Sequence, residues 1–222
     1  MSSICKSPFS HEKACQAQMR LSTRIISEDR LTAEMRLVGG VDVAYTEDSA
    51  VGAAVVLDYD SLETVESAVA VCAIQFPYVP TLLSFRETRP ILMSFRRLCR
   101  QPDVVLVDGH GIAHPRHCGL ASHLGLILGK PTIGIAKDVL VGETHERSHE
   151  EDFVPVVHEG EVIAAMVATG VGCKPVVVSV GHMISLHTAI GIVRHCTRTS
   201  RFPEPIRRAH EKAVLERRKI NI

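Results

Sequence analysis

Residues 103–136, DVVLVDGHGIAHPRHCGLASHLGLILGKPTIGIA, decide the fold class. The run 103–108 is Val-rich and of strand length, and 132–136 is a second such run. Between them, 117–128 sets Leu120, Leu124 and Leu128 four residues apart, on one face of a helix. Strand, helix and strand in that order predict a parallel βαβ unit, because parallel strands need a crossover connection of about this length.

Upstream, 37–45 (LVGGVDVAY), 50–58 and 64–74 are Val-rich runs joined by short polar turns, which predicts an antiparallel meander. A helix is expected within 11–36, a Pro-punctuated loop over 75–87, and a helix over 89–99 with Pro90 in its first turn. Downstream, strands are expected at 139–142, 153–158, 162–169 and 175–180, with Glu159-Gly160 as a hairpin turn. Helices are expected at 185–194 and after Pro205. Parallel and antiparallel runs in one chain imply an α/β protein with a mixed sheet. No repeat or long linker divides it, so residues 1–222 are expected to form a single domain.

The 222 residues are 45% apolar, with 25 Lys+Arg balancing 25 Asp+Glu, which fits a globular core and excludes disordered, collagen-like and coiled-coil classes. No apolar run is long enough to cross a bilayer, and the first thirty residues lack the apolar stretch of a signal peptide. A soluble, cytoplasmic protein with no membrane partner is expected. The seven cysteines (5, 15, 72, 99, 118, 173 and 196) are scattered and never spaced C-x-x-C, so most are read as reduced, buried hydrophobes. Between Arg194 and Lys219 nine basic residues face three acidic ones. This excess reads equally as a phosphate-facing surface or as a solvated helix face laced with ion pairs.

Asp42 interrupts an apolar strand, where a carboxylate is costly unless paired or bound to a cation. Asp108 ends the strand DVVLVD, and α/β sheets concentrate their chemistry at the carboxyl ends of strands. Gly109 and Gly111 then leave the backbone open to close approach. Two converging strand carboxylates make an oxygen site for Mg²⁺ or Mn²⁺. Glu87, in PYVPTLLSFRE, is a third candidate acid. The stiff prolines and apolar side chains before it suit either a wedge against a stacked ligand or a loop folded onto the core. Lys137, after PTIGIA, would project beside Asp108 if their strands are neighbours. His114, His117 and His123 lack the cysteine or acidic ligand that would complete a zinc site.

In order, VGGVDVAY, PYVPTLLSFRE, DVVLVDGHGIAHPRHCGLASHLG, PTIGIAK and PEPIRRAH make the chain resemble the endonuclease V family of deoxyinosine-specific nucleases over residues 15–215. The resemblance implies a ribonuclease H-like fold with a five-stranded mixed central sheet flanked by helices. It also implies a metal site of Asp42, Glu87, Asp108 and His210, with Lys137 near the scissile phosphate. A wedge of Pro77, Tyr78, Val79 and Pro80 is implied, as is a lesion pocket lined by Leu83, Gly119, Leu120, Ala136 and Leu140. Arg86, Gly111 and His114 take supporting places.

The reaction implied is Mg²⁺-dependent hydrolysis of the second phosphodiester 3′ to a deaminated base, with Mn²⁺ as substitute. It would leave 3′-hydroxyl and 5′-phosphate, and a monomer would act on DNA containing deoxyinosine. An inosine-specific ribonuclease, a non-catalytic inosine-DNA sensor and a small-molecule metallohydrolase are the rival readings. Two positions depart from the family pattern: Thr81 stands where Gly is usual, and Ile206 where Thr is usual.

Overall fold

A computed structural model describes residues 10–31, 34–144, 152–170 and 172–220. Its strands are β1 (Leu37–Tyr45), β2 (Ser49–Asp58), β3 (Thr64–Ala73), β4 (Val104–Asp108), β5 (Thr132–Ala136), β6 (Glu143–Thr144), β7 (Val154–His158), β8 (Glu161–Val167) and β9 (Val176–His182). The helices are α1 (His11–Ser22), α2 (Leu83–Phe95), α3 (Leu120–Leu128), α4 (Leu186–His195) and α5 (Glu204–Ile220).

All nine strands join one sheet in the order β3-β2-β1-β4-β5-β9-β8-β7-β6. β1, β4 and β5 run parallel and the remaining pairs antiparallel, so the sheet is mixed. The expected five-stranded sheet is thus the β3-β2-β1-β4-β5 half. Four further antiparallel strands extend it on the β5 side.

Alternation along the strands sends Val38, Val55, Val104 and Leu106 to one face, against Ile190 and Val193 of α4 and Ile206 and Ala209 of α5. It sends Val41, Ala54, Val105 and Val107 to the other, against Ile91 and Phe95 of α2 and Leu120 and Leu124 of α3. Two glycines set how closely the helices approach. A Cβ on Gly40 would lie 2.1 Å from the carbonyl oxygen of Pro205, and one on Gly52 would lie 2.1 Å from that of Pro90.

Several elements begin or end elsewhere than the sequence predicts. α2 starts at Leu83, so Glu87 is helical and Pro90 lies in the interior. Its fixed φ suits a helix, and the cost is one lost N–H donor. α3 starts at Leu120, because His117 has φ 49° and cannot continue a right-handed helix. No strand forms at 139–142, where the chain turns and Gly142 adopts φ 88°. α5 starts at Glu204, which places Pro205 in its first turn. The Glu159-Gly160 turn has both residues at positive φ, 51° and 84°, as a tight hairpin requires.

Of the six described cysteines, Cys72, Cys118 and Cys196 are buried, Cys15 and Cys173 half-buried and Cys99 exposed, so burial is less general than expected. Cys5 lies outside the described residues. No helix among them is long and apolar enough to cross a membrane.

Gly52→Ala should place a methyl group against the backbone of α2. We expect a loss of about 2–3 kcal/mol, seen as an unfolding midpoint lower by about 5–10 °C. An unchanged midpoint would show that α2 shifts away freely.

Candidate functional site

In the β1–β4 register Val41 lies opposite Val107, so Asp42 and Asp108 follow side by side where β4 ends. Both are on the α5 side of the sheet by alternation, and His210 of α5 lies 2.8 Å from the Asp42 carboxylate through Nδ1. Glu87 arrives from α2, is 9% exposed, and accepts a hydrogen bond of 3.2 Å from the Tyr45 hydroxyl. Lys137 follows β5, with its ammonium 6.0 Å from the centre of the Phe202 ring.

Burial, followed by repulsion from Asp42, pushes the Glu87 carboxyl up to about 8, against the pull of the Tyr45 hydroxyl. Burial and then Asp42 likewise push Asp108 up to about 6, while Lys137 and His210 pull it down. Burial, reinforced by Glu87, raises the Tyr45 phenol. Arg86 stacks its guanidinium 4.5 Å from the Tyr45 ring centre and donates to the Phe76 carbonyl at 2.7 Å, tying the start of α2 to the loop before it.

Glu87 and Asp108, both raised by burial and by the Asp42 carboxylate, together with Asp42 itself and one imidazole beside it, have the donor chemistry of a hard divalent-cation site. Their spacing is open, however. Among the described residues no three His, Cys, Asp or Glu close to metal-binding distance.

Beside the acids lies a cavity of about 160 Å³, walled by Leu83, Gly119, Leu120 and Leu140 together with the loop Tyr78–Thr81. Gln18, Ser84, Gly109, His110 and His114 complete its lining. Ala136 is not part of it: this last residue of β5 packs with Ala113, Ile163 and Val177. Pro77 also stands outside the lining, whereas Tyr78 is 69% exposed at the rim. Gly111 too is outside the lining, and it donates its N–H to the Ser179 hydroxyl at 2.9 Å. Both α2 and α3 begin at the cavity without a side-chain cap, at Leu82 and Gly119. Backbone acceptors serve the start of α3 instead: the Ala121 N–H donates to the His110 carbonyl at 3.0 Å and the Gly119 N–H to that of Gly111 at 2.9 Å.

The loop ending at Thr81 is held by a buried polar knot. Thr81 has φ 67°, strained for a β-branched residue. Its carbonyl accepts from Gln18 (3.0 Å), His114 (2.8 Å) and Arg116 (3.2 Å), and its hydroxyl accepts from Arg116 at 2.6 Å. Gln18 also donates to the Cys118 carbonyl at 3.0 Å and accepts from Arg116 at 2.7 Å. His114 donates through Nε2 and accepts the Arg116 N–H through Nδ1 at 3.1 Å, a pattern only a neutral ring can make. Sequence reading passed over Gln18, Tyr45, Ser84, His110 and Arg116. Only Gln18, a long amide inside an amphipathic helix, carried a signal, and Met19 beside it is exposed instead.

Ile206 is 2% exposed and packs in the apolar core, where an aliphatic side chain needs no hydrogen-bond partner. Of the nine basic residues near the C-terminus, six are engaged within the protein. Arg194 pairs with Asp152, Arg207 with Glu204 and Glu211, Arg208 with Glu204 and Lys219 with Glu216. Arg198 bonds the Ser61 carbonyl and Arg201 the carbonyls of Lys137 and Pro175.

The Endonuclease V family model matches residues 19–211. A protein named endonuclease V from Thermofilum pendens is 47% identical over 203 residues, covering 91% of this chain and 87% of that one. The crystal structure of endonuclease V from Streptomyces avermitilis superposes with a TM-score of 0.89 at 37% identity, covering 97% and 96% of the two chains. A Ciona intestinalis endonuclease V variant, crystallised with a 23mer DNA containing an inosine followed by a ribo-adenosine, gives 0.86 at 31% identity over 96% and 100%. These neighbours share the ribonuclease H-like arrangement of a mixed sheet flanked by helices.

Burial pushes both His114 and His123 down to about 4, and among the described residues Nδ1 of His123 is buried without a hydrogen-bond partner. Each ring stays neutral in the fold and takes up a proton near pH 6.5 when unfolded, so its contribution is complete above 6.5 and lost as pH falls toward 4. Glu87 and Asp108, shifted upward, change stability with the opposite sign, so the histidine effect must be read as a difference. The gap in unfolding free energy between the protein and His123→Leu should move against the wild type by about 2–3 kcal/mol from pH 7 to 4.5. Denaturant titrations giving a pH-independent gap would contradict a buried neutral His123.

Proposed function

The chain belongs to the endonuclease V family of metal-dependent nucleases, and on that premise we propose that it cleaves DNA beside a deaminated base, deoxyinosine in particular. The observation that carries this reading is the sharing of two elements between cavity and acid cluster. On α2, Leu83 and Ser84 line the cavity and Glu87 enters the acids one turn later. After β4, Gly109 lines the cavity next to Asp108. A base in the cavity therefore fixes a nearby phosphate over the carboxylates, in keeping with hydrolysis of the second phosphodiester 3′ to the lesion.

Asp42, Glu87, Asp108 and His210 would hold Mg²⁺, or Mn²⁺ in its place. When bound, the metal supplies Lewis-acid stabilisation of charge on the phosphate and lowers the pKa of an attacking water. Lys137, whose charge reaches Asp108, adds a cation for a phosphoryl oxygen. Tyr78, at the exposed rim with Val79 and Pro80 and flanked by Pro77, enters the space an extruded base leaves. Extrusion is least costly for a poorly paired base, which favours the lesion before any contact is made. Products would be 3′-hydroxyl and 5′-phosphate. The reading takes the chain to act as a single domain and as a monomer.

Asp42→Ala and Asp108→Ala should each abolish nicking of a deoxyinosine duplex in Mg²⁺ while leaving its binding within about threefold, by gel shift in EDTA. Turnover by either variant would refute the metal assignment. Faster cleavage of a matched inosine RNA would transfer the activity to the ribonuclease reading, and binding without nicking would favour a sensor. Tyr78→Ala should lower the preference for inosine over intact duplex by about tenfold, as loss of a stacking contact predicts. An unchanged ratio would remove Tyr78 from the wedge.

A further inference from the structure

Six polar side chains line the cavity, and most are committed elsewhere. Gln18, Thr81 and His114 are engaged in the knot. His110 donates to the Asp138 carbonyl at 3.0 Å, and Tyr78 lies at the rim. Ser84 differs. It is 1% exposed, and among the described residues its Oγ has no hydrogen-bond partner. A helical serine ordinarily satisfies its hydroxyl on the carbonyl four residues back, but Ser84 is the second residue of α2 and that position is Pro80, in the loop. Thr88, Ser122 and His123 also carry unpartnered buried atoms, yet none of them lines the cavity.

We propose that the Ser84 hydroxyl is a specificity-determining group that hydrogen-bonds the polar edge of a 6-oxopurine held in the cavity. The proposal rests on the reading of the cavity as a base site. A hydroxyl both donates and accepts, so it meets a ring carbonyl or the neighbouring ring N–H without a charge, and a charge would be costly against the leucine walls. An orphaned buried hydroxyl lowers the stability of the free protein, and a site that needs the group only when the ligand arrives keeps it nonetheless. A base lacking the 6-oxygen leaves the hydroxyl unpaired and is bound less well.

The test is equilibrium binding of the full chain in EDTA to duplexes that differ at one nucleotide: deoxyinosine, 6-unsubstituted purine, an abasic analogue or adenine. Ser84→Ala should lose about tenfold in affinity for the inosine duplex, bring it level with the 6-unsubstituted purine, and leave the abasic duplex unaffected. Ser122→Ala, which removes an equally buried and unpartnered hydroxyl outside the cavity, should bind all four as the wild type does. Neither change should lower the unfolding midpoint. An unaltered inosine affinity in Ser84→Ala, an equal loss on all four duplexes, or a lowered midpoint would each overturn the role of Ser84 while leaving the base site standing. A wild type that binds inosine no better than adenine would instead overturn the base-site reading, and the Ser84 assignment with it.

Discussion

The parallel pairing of β1 with β4 is the constraint on which the rest depends. Once Val41 lies opposite Val107, two carboxylates are side by side at one end of the sheet. The repulsion between them is tolerable only near other groups, and the fold supplies these from both faces. α5 brings His210 to Asp42 because Gly40 lets the backbone at Pro205 lie against β1. α2 brings Glu87 from the opposite face because Gly52 accepts the backbone at Pro90. The glycines of an otherwise Val-rich meander thus belong to the acid site as much as to the sheet.

The same helix joins two environments of opposite character. At its start, Leu83 faces a cavity with apolar walls and no charged side chain in its lining. A turn later, burial and the neighbouring Asp42 carboxylate raise the Glu87 carboxyl, and the same two causes raise Asp108. One helical turn rises about 5 Å, so under the proposed function a neutral base and a charged phosphate on neighbouring nucleotides would each meet suitable surroundings. Reversing the assignment would put the phosphate against leucines and the base among carboxylates, and both would be penalised by desolvation.

Much of this was legible in the sequence because it follows from period and register. The three strands from Leu37 to Ala73, the unit from Val104 to Ala136 and the hairpin at Glu159-Gly160 emerge with boundaries within a few residues. The motifs also singled out Asp42, Glu87, Asp108 and His210, four residues that tertiary structure gathers in one region. What escaped was set by backbone conformations or by long-range partners. Pro90 reads as an N-terminal residue but sits inside α2, where tertiary packing outweighs its lost donor. The left-handed His117 delays α3, and nothing in HPRHCG announces that conformation. Gln18 meets Thr81 and Arg116 across 63 and 98 residues of sequence, beyond the reach of any local pattern.

Thr81 shows how a departure from family pattern can be absorbed. A glycine would adopt φ 67° at no steric cost, and a threonine does not. The hydroxyl that comes with the strain receives the Arg116 guanidinium, and the carbonyl beside it accepts three donors. Backbone strain persists only where its surroundings over-determine it, and here four hydrogen bonds do so. Their consequence extends beyond Thr81 itself. The Tyr78–Pro80 segment is anchored immediately after its exposed tip, so in the proposed wedge role it would meet a base as a loop already fixed at its base rather than one that must be ordered on contact.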